Sequence, residues 1–239
     1  PRILPPFPPT SAVHGAEGFG TIAVPTPQRR ALVETAPEYL VRMARAHQGE
    51  LLLCPIGPLT NIAAAMELDP SFCSNLKGMV VMGGSLRAGG NITPAAEANF
   101  YHDPHAADFV LRYGCNMTLV GLDVTNRVIC PRSFFVRLAS ESPKMGGLLH
   151  DMAEFYIDFY ETVGKFAGCG MHDPSALVAC IAPELFTTEP HALRVTLSGD
   201  RSGEMITVAN STAQAVNVCT DVQAEAVKQN FFKNVAKLS

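Results

Sequence analysis

Three short apolar runs constrain this chain more than anything else in it: Leu51–Ile56, Gly78–Met82 and Asn116–Leu122. Each is too short for a helix of its own and lacks polar alternation, the pattern of strands buried on both faces. Each is followed by a turn or helix-start signal. Gly57-Pro58-Leu59-Thr60-Asn61 turns the first run into a helix that continues to about Leu68, where Asp69-Pro70 ends it. The second run leads through a glycine-rich loop to Asp103-Pro104, with Asp as N-cap and Pro at the first helical position, and Gly114 closes that helix. Strands alternating with helices at this spacing require crossover connections and therefore parallel pairing. The expected fold is an α/β domain, an open and mainly parallel sheet flanked by helices.

The flanking segments extend this pattern. Glu34 to Gln48 is expected to be helical, with Leu40, Met43, Ala44 and His47 on one face and Gly49 as the stop. From Pro131 the sequence turns to helices, with a long one predicted from Lys144 to Lys165. A small-residue loop, Gly168-Cys169-Gly170-Met171, then leads to His172-Asp173-Pro174 and a helix through Ala182. Strands are expected near 191–197, 204–208 and 214–219, and a closing amphipathic helix from Asp221 to Leu238. Neither repeat nor linker is visible, so residues 1–239 are read as a single domain.

Composition narrows the function classes. The chain is 47% hydrophobic and 17% charged, which fits a large buried core. Its formal charge of −4 gives no electrostatic reason to expect nucleic acid or an anionic membrane surface as partner. No run of 18 or more apolar residues is present, so no transmembrane helix is expected, and no signal peptide is visible in the sequence. The seven cysteines are an odd number without a C-x-x-C pair, and read as reduced thiols in a cytoplasmic protein. A zinc site is not expected. The G-x-S-x-G, G-x-x-x-x-G-K-[ST] and G-x-G-x-x-G patterns are absent.

The candidate chemistry sits in the loop from Met82 to Asp103. Polar groups just past the end of a buried strand occupy the place where open α/β sheets bind ligands. Glu97 and Asn99 are two apart, so on an extended segment they point the same way. A carboxylate beside the carboxamides of Asn91 and Asn99 suits a vicinal diol, because the one accepts while the others donate and accept. Farther on, His172 can donate a proton near neutral pH, and Asp173 is a hard oxygen ligand for a cation. Both His-Asp-Pro triplets, at 102–104 and 172–174, equally suit a plain Asp-Pro helix start.

In this order, Gly57-Pro-Leu-Thr-Asn61, Met82-Gly-Gly84, Asn91-x-Thr-Pro-x-Ala-Glu97-x-Asn99 and Met171-His-Asp-Pro174 resemble the inosine–uridine-preferring nucleoside hydrolases. His14-Gly15-x-Glu17-Gly18-x-Gly20 is similar to an upstream element of that family. The resemblance implies hydrolysis of the N-glycosidic bond of a ribonucleoside, with Ca²⁺ holding a water and the ribose hydroxyls. It implies ribose contacts from Asn91, Glu97 and Asn99, with Met82 packing on the sugar. It implies calcium ligands at the Thr60 carbonyl and the Asp173 carboxylate, activation of the leaving base by His172, and His14 on the base side. A homodimer or homotetramer is implied as well. The aromatics Phe155, Tyr156, Phe159, Tyr160 and Phe166 fall at helical spacing, which assigns most of them to core packing and leaves base preference unread.

One family feature has no counterpart: the Asp-x-Asp-x-x-x-Asp-Asp cluster after an N-terminal strand, which supplies most calcium carboxylates and the base for the water. The chain begins at Pro1, with five prolines in its first ten residues. It is therefore expected to be N-terminally truncated relative to the family, with a central strand missing and a buried edge exposed. Two readings stay open: a fragment of an active hydrolase, or a catalytically inactive relative that binds nucleoside or ribose.

Overall fold

The computed structural model describes residues 11–23, 26–163, 167–209 and 214–238. The proline-rich start, the predicted helix end at Lys165 and Phe166 lie outside them. In chain order the helices are α1 (Ser11–His14), α2 (Ala36–Ala46), α3 (Thr60–Leu68), α4 (Ala98–His102), α5 (Pro104–Tyr113), α6 (Leu122–Thr125), α7 (Arg132–Glu141), α8 (Met145–Thr162), α9 (His172–Ile181) and α10 (Ala224–Ala236). The strands are β1 (Leu52–Leu53), β2 (Gly78–Met82), β3 (Met117–Val120), β4 (Ile129–Cys130), β5 (Cys169–Gly170), β6 (Phe186–His191), β7 (Leu193–Val195), β8 (Met205–Thr207) and β9 (Val216–Val222). Contacts divide the chain into two compact units. Among the described residues, the first contains those of 32–124 and 175–222; the second contains those of 11–31, 125–174 and 223–238.

The first unit holds a five-stranded sheet in the order β1-β2-β3-β9-β6. The pairs β1–β2, β2–β3 and β3–β9 are parallel, and β6 runs antiparallel to β9. All five residues of β2 are buried, as its unbroken apolar run predicts. Its side chains Met79 and Val81 join Leu119 of β3 and Val218 of β9 in a core completed by Phe72, Val110 and Leu111. A two-stranded antiparallel ribbon, β7–β8, packs its inward Leu193, Val195 and Met205 onto the same core. The buried Asp108 of α5 ties the ribbon down: it accepts from Arg194 at 2.7 and 3.2 Å and from the Val195 amide at 3.0 Å.

Two expectations are corrected here. The Leu51–Ile56 run is read from sequence as buried on both faces, yet among the described residues β1 is an edge strand bonded only to β2 in the sheet, with Leu52 38% exposed. The second concerns β6, where no strand is expected before residue 191. Its Phe-Thr-Thr-Glu-Pro-His sequence is polar and contains Pro190. A strand at the sheet edge tolerates both, since one row of its backbone groups faces away from the ladder.

The helix starts follow local rules. Thr35 and Glu38 form a capping box at α2: Glu38 Oε2 accepts from the Thr35 amide at 2.7 Å, and Thr35 Oγ1 accepts from the Glu38 amide at 3.5 Å. Asp103 caps α5 as expected, accepting from the Ala106 amide at 3.0 Å ahead of Pro104. The second His-Asp-Pro behaves differently. Helix α9 already begins at His172, so Asp173 lies in the first turn instead of at the cap.

The second unit is built on α8. Arg132, opening α7, pairs with Glu154, with Asp158 at 2.9 Å and with Glu161 at 3.3 Å along α8. Strands β4 and β5 form a small antiparallel ladder in which Cys130 faces Cys169. Both thiols are pushed up to about 12 by burial. All seven cysteines are free; four are buried and three partly so.

Asp69 closes α3 with a pH-sensitive contact. Arg45 at 2.8 Å and the Ser71 hydroxyl and amide hold its carboxyl down to about 2, against an ordinary 3.8. These partners bind the ionised form, so the stabilisation is complete above the unfolded value and is lost as pH falls through the folded one. Urea unfolding should therefore show Asp69→Asn less stable than the parent at about pH 5. The gap should close as pH falls from about 4 towards 2; a gap independent of pH would refute the assignment.

Candidate active site

In the first unit the residues predicted for ribose converge at the carboxyl end of β2. Gly84 has a positive φ of 69°, and a Cβ there would stand 2.8 Å from the Phe100 ring, so the chain turns tightly over that side chain. Glu97 is 2% exposed and its carboxylate is held by backbone: Oε2 accepts from Gly84 at 2.9 Å and Phe100 at 3.2 Å, Oε1 from Asn99 at 2.9 Å. It is the N-cap of α4. Asn99 lies inside that helix and donates from Nδ2 to the Met82 carbonyl at 3.1 Å and to its sulfur at 3.2 Å. Asn91 accepts from the Ala98 amide through Oδ1 at 2.9 Å.

The expectation that Glu97 and Asn99 lie on an extended segment is thus corrected: a short helix carries them. The Glu97 side chain itself causes the difference, because a carboxylate at an N-cap satisfies the amides that start the helix. Glu97, Asn99 and Met82 meet nonetheless, through Gly84 and the end of β2.

Asp123, in α6, does the corresponding work for the next part of the loop. Its Oδ2 accepts from the Leu86 amide at 2.6 Å, and its Oδ1 from the Arg87 and Ala88 amides at 2.6 and 3.1 Å. Three successive N–H groups on one carboxylate fix that stretch of backbone. The sequence shows Asp123 only as a residue ending a strand, because its partners are 35 to 37 residues away. Thr60, first residue of α3, donates its hydroxyl at 2.6 Å to the fully buried Asp103.

The second unit carries the other predicted residues. His172 Nδ1 is 2.8 Å from Thr125 Oγ1, and its Nε2 is 3.1 Å from the Tyr160 hydroxyl. Tyr160 in turn meets the Tyr156 hydroxyl at 2.9 Å. Burial raises both phenols above their ordinary 10, so they stay protonated donors at neutral pH. His14 stacks on Tyr156 with ring centroids 5.5 Å apart and planes 23° apart, and burial of part of its ring lowers its pKa. A cavity of about 210 Å³ opens here, lined by His14, Met152, Phe155, Tyr156 and Met171 among others. Helical spacing alone assigns these aromatics mainly to the core. Tyr160 is indeed buried, but Tyr156 and Phe155 line the cavity. The tyrosines of the chain and Thr125 have no short-range signature in the sequence.

Burial pushes the Asp173 carboxyl up to about 6. Among the described residues, no group of three or more His, Cys, Asp or Glu side chains is placed to hold a metal ion. Calcium takes roughly 6–8 oxygens, so the Thr60 carbonyl and the Asp173 carboxylate do not by themselves make a calcium site.

The sequence model of the inosine-uridine preferring nucleoside hydrolases matches residues 2–229. The chain belongs to that family. It is 38% identical over 194 residues to the probable uridine nucleosidase 1 of rice (Oryza sativa subsp. japonica), covering 81% of this chain and 60% of that protein. It is 35% identical to the probable uridine nucleosidase 2 of Arabidopsis thaliana, covering 90% of this chain and 70% of that one. The solved purine-preferring ribonucleoside hydrolase from Gardnerella vaginalis superposes with a TM-score of 0.90 at 32% identity, over 95% of this chain and 73% of its own. The family fold, a mainly parallel sheet flanked by helices, is therefore the fold of this chain.

The Asp123 contacts can be tested without turnover. Asp123→Ala removes three hydrogen bonds to an ionised acceptor and is expected to destabilise the protein by about 1–3 kcal/mol. Amide exchange at Leu86, Arg87 and Ala88 should rise at least about tenfold while β2 amides keep their protection. Unchanged exchange at those three amides would show that Asp123 does not hold the loop.

Proposed function

We propose that the protein carrying this chain is a ribonucleoside hydrolase that cleaves the N-glycosidic bond to release free base and ribose. Family membership joined to the polar cluster at the end of β2 carries this reading. The family match spans both compact units, which supports treating residues 1–239 as one family domain. Asn91, Glu97 and Asn99 bind the ribose hydroxyls, and Met82 packs against the sugar. Backbone hydrogen bonds fix Glu97 and Asn99 before any ligand arrives, so little ordering cost falls on binding.

Cleavage builds positive charge on the ribose and negative charge on the departing base. The Glu97 carboxylate favours the first. His172 and the tyrosines serve the second. Because both ring nitrogens of His172 are engaged, by Thr125 and Tyr160, a proton bound for the base passes through the Tyr160 and Tyr156 hydroxyls. His14 and Tyr156, stacked at the cavity, take the base side. Thr60 and Asp173 are at most two members of a larger calcium donor set, whose other oxygens would come from outside these two residues. A cytoplasmic location, supported by the free thiols, and assembly as a homodimer or homotetramer complete the reading. No helix among the described residues is long and apolar enough to cross a membrane.

Ribose release from uridine and inosine by the intact protein, assayed with calcium and with a chelator, tests the proposal. Turnover is expected with calcium, falling roughly 10²–10⁴-fold in His172→Ala, the scale of a lost general acid. Glu97→Ala should lose turnover as well. No ribose under either condition would sink the hydrolase reading, and nucleoside binding without turnover would favour the inactive, ribose-binding relative in its place.

A further inference from the structure

The His172 ring is held on three sides, and one of those contacts has no obvious packing purpose. Thr125 is fully buried, and its hydroxyl lies 2.8 Å from Nδ1. Tyr160 faces Nε2 at 3.1 Å. Gly170 closes the third side: a Cβ there would stand 2.8 Å from Nε2, so the ring lies against bare backbone. The main chain sets the register of the pair. The Val128 amide donates to the Thr125 carbonyl at 3.1 Å, and the Met171 amide to the Val128 carbonyl at 2.9 Å. The β4–β5 ladder continues that pairing through Ile129↔Gly170 and Cys130↔Cys169. Residues 47 apart in sequence are thereby brought to fixed separation just where His172 begins α9.

We propose that Thr125 is a positioning residue for His172, its hydroxyl fixing the plane and the tautomer of the imidazole so that Nε2 faces Tyr160. The inference deepens the hydrolase reading and rests on the role given there to His172. A neutral imidazole presents one N–H and one bare nitrogen, and which is which depends on the partner of the other nitrogen. With the Thr125 hydroxyl donating to Nδ1, Nε2–H is left to donate to Tyr160, the direction that a proton bound for the base requires. Valine has nearly the same outline and no hydroxyl.

The test compares Thr125→Val, Thr125→Ser and His172→Ala in the intact protein. A positioning role predicts that Thr125→Val lowers kcat roughly 10- to 100-fold, on the scale known for outer partners of metal-ligating histidines, with KM within about twofold. Thr125→Ser, which keeps the hydroxyl, should stay within about threefold of the parent. A packing role predicts the reverse order, since valine keeps the γ-methyl and the outline of the side chain and serine does not. NMR of the His172 ring nitrogens reads the same point without turnover: one fixed tautomer in the parent and in Thr125→Ser, a changed or mixed population in Thr125→Val. If Thr125→Val does not fold, Thr125→Ala is compared with Thr125→Ser, since both lose the methyl and only one keeps the hydroxyl. Parent-like kcat and ring nitrogens in Thr125→Val, beside an impaired His172→Ala, would overturn the role of Thr125 alone. A His172→Ala variant with full activity would overturn it together with the role of His172.

Discussion

Backbone amides beyond the ends of a parallel sheet have no strand to bond with, and in the first unit two carboxylates answer that need. Glu97 takes the amides of Gly84, Asn99 and Phe100; Asp123 takes those of Leu86, Arg87 and Ala88. Without acceptors, the buried members of this set would each leave a donor stranded, at roughly 1–3 kcal/mol apiece. The polar loop after β2 can therefore be ordered, although it contributes little to the apolar core. Its side chains are presented from a fixed backbone.

This changes how the Asn-Glu-Asn element is understood. Read as a string of sugar-binding groups, it looks purely functional. In the fold each member first completes local structure: Asn91 on the Ala98 amide, Glu97 as a helix cap, Asn99 on Met82. Preorganisation and recognition are carried by the same atoms. Replacing any one of them alters the shape of the site as well as its chemistry.

What the sequence discloses follows the range of the forces involved. The buried strand β2, helix α3 and the Asp103-Pro104 start of α5 were legible because apolar runs and caps act over a few residues. Strand β6 was not, since pairing with β9 outweighs its polar composition and its proline. Glu97 and Asn99 were picked out by residue type, but a cap formed by the Glu97 side chain itself replaced the extended segment expected there. The partners of His172 were the least visible. Thr125 lies 47 residues upstream of it, and Tyr160 falls on a helix whose periodicity is explained equally well by core packing.

The facing pair Cys130 and Cys169 has a consequence for how lasting this arrangement is. They occupy one rung of the ladder that leads into His172, and two opposed thiols are only two electrons from a covalent cross-link. Thiolate is the species that attacks an oxidant or another disulfide. With both groups pushed up to about 12, almost none of it exists at neutral pH. Burial that disfavours the thiolate makes this rung slow to oxidise, and the two strands beside the histidine are joined here by hydrogen bonds.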